Sequence, residues 1–189
     1  MGDFERLYNK ALRFLSFRPR SEKEIRDRLK IKYQSFDKTG TVRSPVKLRT
    51  NIKNLTLVIE KVIAKLKVQN FLNDEEFAKW WIEQRTSFRP RSLRLIKLEL
   101  RQKGITDEVI ESGIRNQELG IESDLDRAKK LVEIRIKRFR NPSTPLKAGK
   151  FGMTREELYQ KIGGFLARRG FDWETIKQSI DYVQFHERS

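Results

Sequence analysis

The chain of 189 residues carries 42 Lys and Arg against 26 Asp and Glu, a formal net charge of +16. An excess of that size points to an anionic partner, whether nucleic acid, an acidic protein or a membrane surface. Its 37% hydrophobic content suits amphipathic helices that each bury one stripe, and argues against a sheet buried on both faces.

The first predicted helix covers 3–16, within an opening stretch, MGDFERLYNKALRF, that has no apolar signal core. No run in the chain approaches the ~18 apolar residues of a membrane span, and no cysteine is present for disulfide or thiol chemistry. The expected location is therefore cytoplasmic, with no membrane partner. The helix ends at SFRPRS (Ser16–Ser21), because Pro19 lacks an N–H and disfavours helix at the residue before it. Ser21 then caps a helix near 21–33, and Glu24 three residues on completes a capping box. Residues 34–53, QSFDKTGTVRSPVKLRTNIK, hold Lys38, Arg43, Lys47, Arg49 and Lys53 against the single acid Asp37. Their Gly, Pro, Ser and Thr content reads as a basic loop inserted before a helix near 54–69. In that helix Val58, Val62, Ile63 and Leu66 form an apolar face.

The next helix, near 73–87, opens on an Asn73–Glu76 capping box and carries Phe77, Trp80, Trp81 and Ile82. It runs into a second SFRPRS at Ser87–Ser92. Over Ser16–Lys32 and Ser87–Lys103 the two copies share nine of seventeen positions, including Ile25/Ile96, Leu29/Leu100 and Lys32/Lys103. Pro90 and Ser92 therefore repeat the stop and the cap before a helix near 92–103. LRQKGITDEVIESGI (Leu100–Ile114) aligns in turn with LARRGFDWETIKQSI (Leu166–Ile180). In both, a glycine (Gly104, Gly170) stands where a helix C-terminus needs a left-handed residue, and Thr106 or Asp172 caps the next helix. The remaining helices are expected near 106–118, 122–139, 154–169 and 172–186, with a Thr154–Glu157 box opening the third of these four. A second basic loop, RNPSTPLKAGKFG, fills 140–152. The architecture is all-α, an elongated tandem array of three three-helix repeats at 1–70, 71–120 and 121–189.

Catalytic chemistry finds no constellation here. The one histidine, His186, lies near the C-terminal end in QFHERS, and one His without Cys leaves the usual zinc ligand sets unfilled. Gly149-Lys150 lacks the upstream glycine of a phosphate-binding loop. Asp74-Glu75-Glu76 sit in a first helical turn, where they complement the dipole. No enzyme, metal or cofactor is expected.

The basic residues carry more information. Arg94, Lys97 and Arg101 share one helix face, beside the apolar Leu93, Ile96 and Leu100, and Lys103 extends the charge. Arg168 and Arg169 end the corresponding helix of the third repeat. Arg18, Arg20, Arg89 and Arg91 precede helix N-termini, where the dipole disfavours positive charge. Glu22 and Glu24 compensate in the first copy, but the second has Leu93 and Leu95 in their place. Arg89, Arg91 and Arg94 are therefore expected against free backbone N–H groups with no acid nearby, a site for an external phosphate or carboxylate, or equally for a carboxylate from a neighbouring repeat. All ten of these cations are candidates for partner or DNA binding.

FLNDEEFAKWWIEQR followed by RLIKLELRQKGITDEVI resembles the central signature of the RecX regulatory proteins. ALRFLSFRPRSEKEIRDRL resembles their first repeat and FLARRGFDWETI their last, so the likeness runs from about Phe4 to Val183. The resemblance implies tandem three-helix repeats and a protein that binds the RecA filament in its helical groove. It further implies restraint of RecA's ATPase and strand exchange in recombination and DNA repair, with no catalysis of its own and with ATP belonging to RecA. DNA, single- or double-stranded, is a further expected partner through the basic face, and the protein is expected to be a monomer. Two departures stand out. Many relatives have a glycine-rich turn where this chain has Phe88-Arg89-Pro90-Arg91, and the 34–53 insertion is long for the family. The alternative readings are a stand-alone helical nucleic-acid-binding module, which the three-helix units superficially resemble, and a helical scaffold for another acidic protein.

Overall fold

A computed structural model of the chain describes residues 2–30, 45–116, 122–139 and 155–186, without the side chains of 45–53, 138–139, 155, 158 and 184–186. Every regular element among the described residues is helical. The order is α1 (Asp3–Leu15), α2 (Glu22–Lys30), α3 (Pro45–Val68), α4 (Asp74–Glu83), α5 (Leu93–Gln102), α6 (Asp107–Arg115) and α7 (Asp124–Phe139). Then come α8 (Arg155–Leu158), α9 (Gly164–Ala167) and α10 (Trp173–His186). The chain is thus all-α, built of tandem three-helix repeats.

Most starts and stops follow the local chemistry. Ser21 Oγ accepts the Glu24 N–H at 3.2 Å, and Ser92 Oγ accepts the Leu95 N–H at 3.2 Å, so both serines cap as expected. Asn73 Oδ1 caps α4 through the Glu75 N–H at 2.9 Å, and Asp172 Oδ1 caps α10 through the Thr175 N–H at 2.8 Å. Gly104 and Gly170 adopt φ of +83° and +85°, the left-handed conformation that ends α5 and α9.

Three expectations need correction. Helix α3 begins at Pro45, so residues 45–53 of the supposed loop are helical. Proline suits a first turn, where its fixed φ is already helical and no N–H donor is required. Residues 34–44 and 140–152 lie outside the described residues, as does the Thr154 cap. Secondly, the helices expected as continuous at 73–87 and 154–169 each contain a π turn, Gln84–Phe88 and Tyr159–Gly163. The first widens the helix just before Pro90 terminates it. Thirdly, Glu24 does not close the capping box on Ser21, because its carboxylate is taken by Arg18 and Lys103.

By internal packing the chain forms two compact units, Met1–Trp80 with Arg101–Ile110, and Trp81–Leu100 with Glu111–Ser189. In unit 1, helices α1, α2 and α3 pack on one another around Leu7, Ala11, Ile25, Leu29, Ile59, Val62, Ile63, Leu66 and Leu72. In unit 2, α10 lies along α7 around Ala128, Val132, Ile136, Ile162, Leu166, Phe171, Ile176 and Ile180. The central repeat is shared out between the two units along the sequence, so each unit contains one repeat-to-repeat junction.

Candidate partner-binding surface

Each junction is built on a serine of SFRPRS. In unit 1, Ser21 is fully buried, and its hydroxyl donates to the Lys103 carbonyl at 2.7 Å, the residue before Gly104. The Glu22 N–H, one of the donors that α2 leaves unpaired, is accepted by Asp74 Oδ1 at 2.8 Å. Burial raises the Asp74 carboxyl above its ordinary value, and the nearby Glu22 charge adds to this against the pull of the backbone bond. Unit 2 repeats the pattern. Ser92, 1% exposed, donates to the Gly170 carbonyl at 2.7 Å, its own N–H reaches the Arg169 carbonyl at 3.0 Å, and the Leu93 N–H is accepted by Asp124 at 3.1 Å. Asp74 and Asp124 did not stand out as junction residues in the sequence. Their signal was there: a small polar cap followed by Asp, Asn73-Asp74 and Ser123-Asp124, opens both later repeats.

These contacts overturn the expectation that Arg89, Arg91 and Arg94 face free N–H groups without an acid. Asp124 and Ser92 occupy the N–H groups of Leu93 and Leu95, and Arg91 pairs with Glu99. Glu99 also accepts from Arg85 Nε at 2.8 Å and Trp81 Nε1 at 2.9 Å, with the Arg85 guanidinium 4.2 Å above the Trp81 ring. The acid missing from the start of α5 is supplied from two turns further along the same helix.

Several other candidate cations are likewise engaged. Arg18 forms a two-pronged pair with Glu24 at 2.8 and 3.2 Å, and Lys103 meets the same carboxylate at 2.7 Å. Burial works against the Glu24 charge, but the bonds and charges of Arg18 and Lys103 hold its carboxyl below the ordinary value. Lys97 pairs with Glu111 at 2.6 Å in unit 2, and Arg101 with Asp107 at 2.7 Å in unit 1. Arg20 has no carboxylate partner among the described residues and lies on the Phe14 ring at 3.8 Å.

What unit 2 brings together is an arginine cluster. Arg169 donates to the Pro90 carbonyl at 2.8 Å and lies 4.5 Å over the Phe165 ring, which Arg135 also covers at 5.0 Å. Burial lowers the Arg91 guanidinium from its ordinary value, helped by the charges of Arg85, Arg169 and Arg89. Burial likewise lowers Arg169, helped by Arg135 and Arg89. Arg89, Arg94 and Arg168 are exposed, and no ion pair ties them to an acid among the described residues. Arg94 reaches the Gly170 carbonyl only at 3.5 Å. Like charges held at this density, with one shared carboxylate, suit an incoming anion.

Comparison with known proteins places the fold. Residues 8–34, 73–114 and 122–180 match, in order, the first, second and third three-helix domains of RecX. A regulatory protein RecX of Prosthecochloris aestuarii is 30% identical over 180 residues, covering 95% of both chains. The chain belongs to the RecX family. A regulatory protein RecX of Bacillus subtilis is 29% identical over 94% of this chain, which spans 55% of that relative's length. The crystal structure of RecX from Lactobacillus salivarius superposes with a TM-score of 0.59 at 22% identity, over 97% of each chain, a likeness of fold. Relatives in this family are named regulatory proteins, and no helix among the described residues is long and apolar enough to cross a membrane.

Proposed function

We propose that this protein binds the RecA–DNA filament and lowers its ATPase and strand-exchange activity, acting as a cytoplasmic, non-catalytic regulator. The observation that carries the reading is membership of a family of regulatory proteins over nearly the whole chain. The net charge of +16 supports an anionic target. On unit 2 the residues that make the contact are the exposed Arg89, Arg94 and Arg168, together with the half-buried Arg91 and Arg169. Of the ten candidate cations, Arg18, Lys97, Arg101 and Lys103 are committed to internal carboxylates, so they serve binding less than Arg89, Arg94 and Arg168 do.

A second reading, a stand-alone nucleic-acid binder, draws on Phe88, which is 71% exposed beside Arg89; aromatic and cationic groups together suit stacked bases along a phosphate backbone. One titration separates the two. DNA-dependent ATP hydrolysis by RecA on single-stranded DNA is followed as this protein is added, at two salt concentrations, with direct DNA binding measured alongside. Inhibition at protein levels that leave the DNA unbound supports filament regulation. Inhibition that appears only as the protein coats the DNA, and that falls steeply with salt, supports the nucleic-acid binder.

A further inference from the structure

We propose that a groove in unit 1, beside the first SFRPRS, seats an apolar side chain of a partner-protein segment whose adjacent carboxylate meets Arg20. The proposal rests on the filament reading above and names the chemistry of the segment that would dock. The groove has a volume of about 540 Å³, within the range of sites that take a few side chains. Leu12, Leu15, Phe17, Phe71 and Phe77 make its lining largely apolar. Two of these aromatic rings are left to solvent, Phe17 at 81% and Phe71 at 53% exposed. Covering such a ring removes apolar surface from water, which is the drive for an apolar occupant.

The charges define the rest of that occupant. Arg18, Arg20 and Glu76 line the groove. Arg18 is held by Glu24, which Lys103 shares. Arg20 is different: its guanidinium carbon lies over the Phe14 ring, 3.8 Å from its centroid, its Nε is buried without a hydrogen-bond acceptor, and no carboxylate among the described residues pairs with it. Burial lowers its pKa, and the charges of Arg18 and Arg28 add to this against the single opposing charge of Glu24. A fixed cation surrounded by cations, with the local acid already divided between two partners, lacks a counter-charge. A carboxylate supplies it. Phosphate backbone fits less well, because Glu76 stands in the lining and repels a polyanion, while the apolar surface suits an aliphatic or aromatic side chain better than a sugar.

The test uses the full chain with RecA assembled on single-stranded DNA, read by co-sedimentation and by photo-crosslinking from a benzophenone residue at position 17. Position 57 is the control, since Leu57 is 62% exposed on the same unit and does not line the groove. The expected results are crosslinking from position 17 to a RecA segment with an acidic residue beside an apolar one, and little from position 57. Phe17→Ala is expected to weaken co-sedimentation about tenfold, as a moderate interface anchor does, with unchanged thermal melting. Arg20→Gln is expected to weaken it similarly. If the unmodified chain binds and inhibits the filament while Phe17→Ala binds equally well, or position 17 crosslinks to DNA, the groove proposal is overturned and the functional reading stands. If the unmodified chain does not bind the filament at all, both fall together.

Discussion

The two copies of SFRPRS carry identical letters and reach nearly identical backbone contacts, yet their arginines end in different places. Ser21 and Ser92 are both buried, both cap the following helix, and in both the next N–H is taken by the first aspartate of a later helix, Asp74 or Asp124. The hydroxyls differ by one step: Ser21 reaches the carbonyl before the left-handed glycine, and Ser92 reaches that of the glycine itself. Beyond the backbone the likeness stops. Copy one sets Arg18 on Glu24, whereas copy two has Leu95 at that position and sends Arg91 to Glu99. The shared part of the motif is therefore the joint between repeats, and the cations are the part that has diverged. Duplication of the six letters marks a duplicated structural element first, and a binding element only where the joint leaves charge over.

The sharpest way to break this equivalence is at the glycines. A Cβ at Gly170 would lie 2.6 Å from Leu95 Cβ and 2.7 Å from Ser92 Oγ, while one at Gly104 would meet Lys23 Cβ at 2.8 Å. Both substitutions also force a side chain into a left-handed backbone, which costs about 1–2 kcal/mol before any clash. Gly170→Ala is expected to destabilise by about 3 kcal/mol and Gly104→Ala by slightly less, since clash adds to strain. Denaturant unfolding of the two variants checks the order. Equal stability to the parent chain in either would show that the joint at that glycine is not formed.

Next in size are the serines. Ser21→Ala and Ser92→Ala each remove a cap and leave a partly buried carbonyl without its donor, an expected loss of about 2 kcal/mol apiece. The comparison predicts near-equal losses. A loss confined to Ser92 would mean that the first joint holds through its ion pairs instead, a question that Glu24 addresses directly. Its carboxyl is held below the ordinary value in the folded chain, so its contribution is fully present above the unfolded value of about 4.3. That contribution disappears as pH falls through the lower folded value. Asp74 in the same joint is shifted upward and works in the opposite sense. The readout is therefore the difference in melting temperature between the parent and Glu24→Gln across pH 7 to pH 3, expected to shrink toward acid.

These joints also show what a sequence can and cannot disclose. The helices of each repeat were legible because prolines, capping residues and glycines act on their own neighbours, and nine shared letters in seventeen gave the repeat away. The partners of the arginines were not legible. Glu99 stands eight residues beyond Arg91 along the chain, and Asp124 stands 31 positions beyond Leu93, distances at which neither spacing rule nor capping rule operates. The start of α3 at Pro45 was hidden for a different reason, since glycine, serine and proline earlier in the segment read as loop whether or not proline opens a helix. The π turn that runs into the second SFRPRS leaves no mark in apolar spacing at all.

The smallest expected effect on stability is the most informative about function. Arg89 and Arg168 are exposed and make no ion pair with the described residues, so Arg89→Glu with Arg168→Glu is expected to change unfolding by no more than about 0.5 kcal/mol. Arg91→Glu, by contrast, sets two carboxylates against each other at Glu99 and is expected to cost stability as well as binding, which would make its loss of binding ambiguous. On the filament reading the double variant loses inhibition of RecA's ATPase while circular dichroism and melting stay put. Its counterpart in the first joint, Arg18→Gln, removes a cation that already has Glu24 as its partner. That change is expected to lower melting modestly and to leave inhibition nearly intact. The reverse pattern, inhibition lost with Arg18 and retained without Arg89 and Arg168, would place the regulatory contact on the first copy and make the arginine cluster of unit 2 a structural feature.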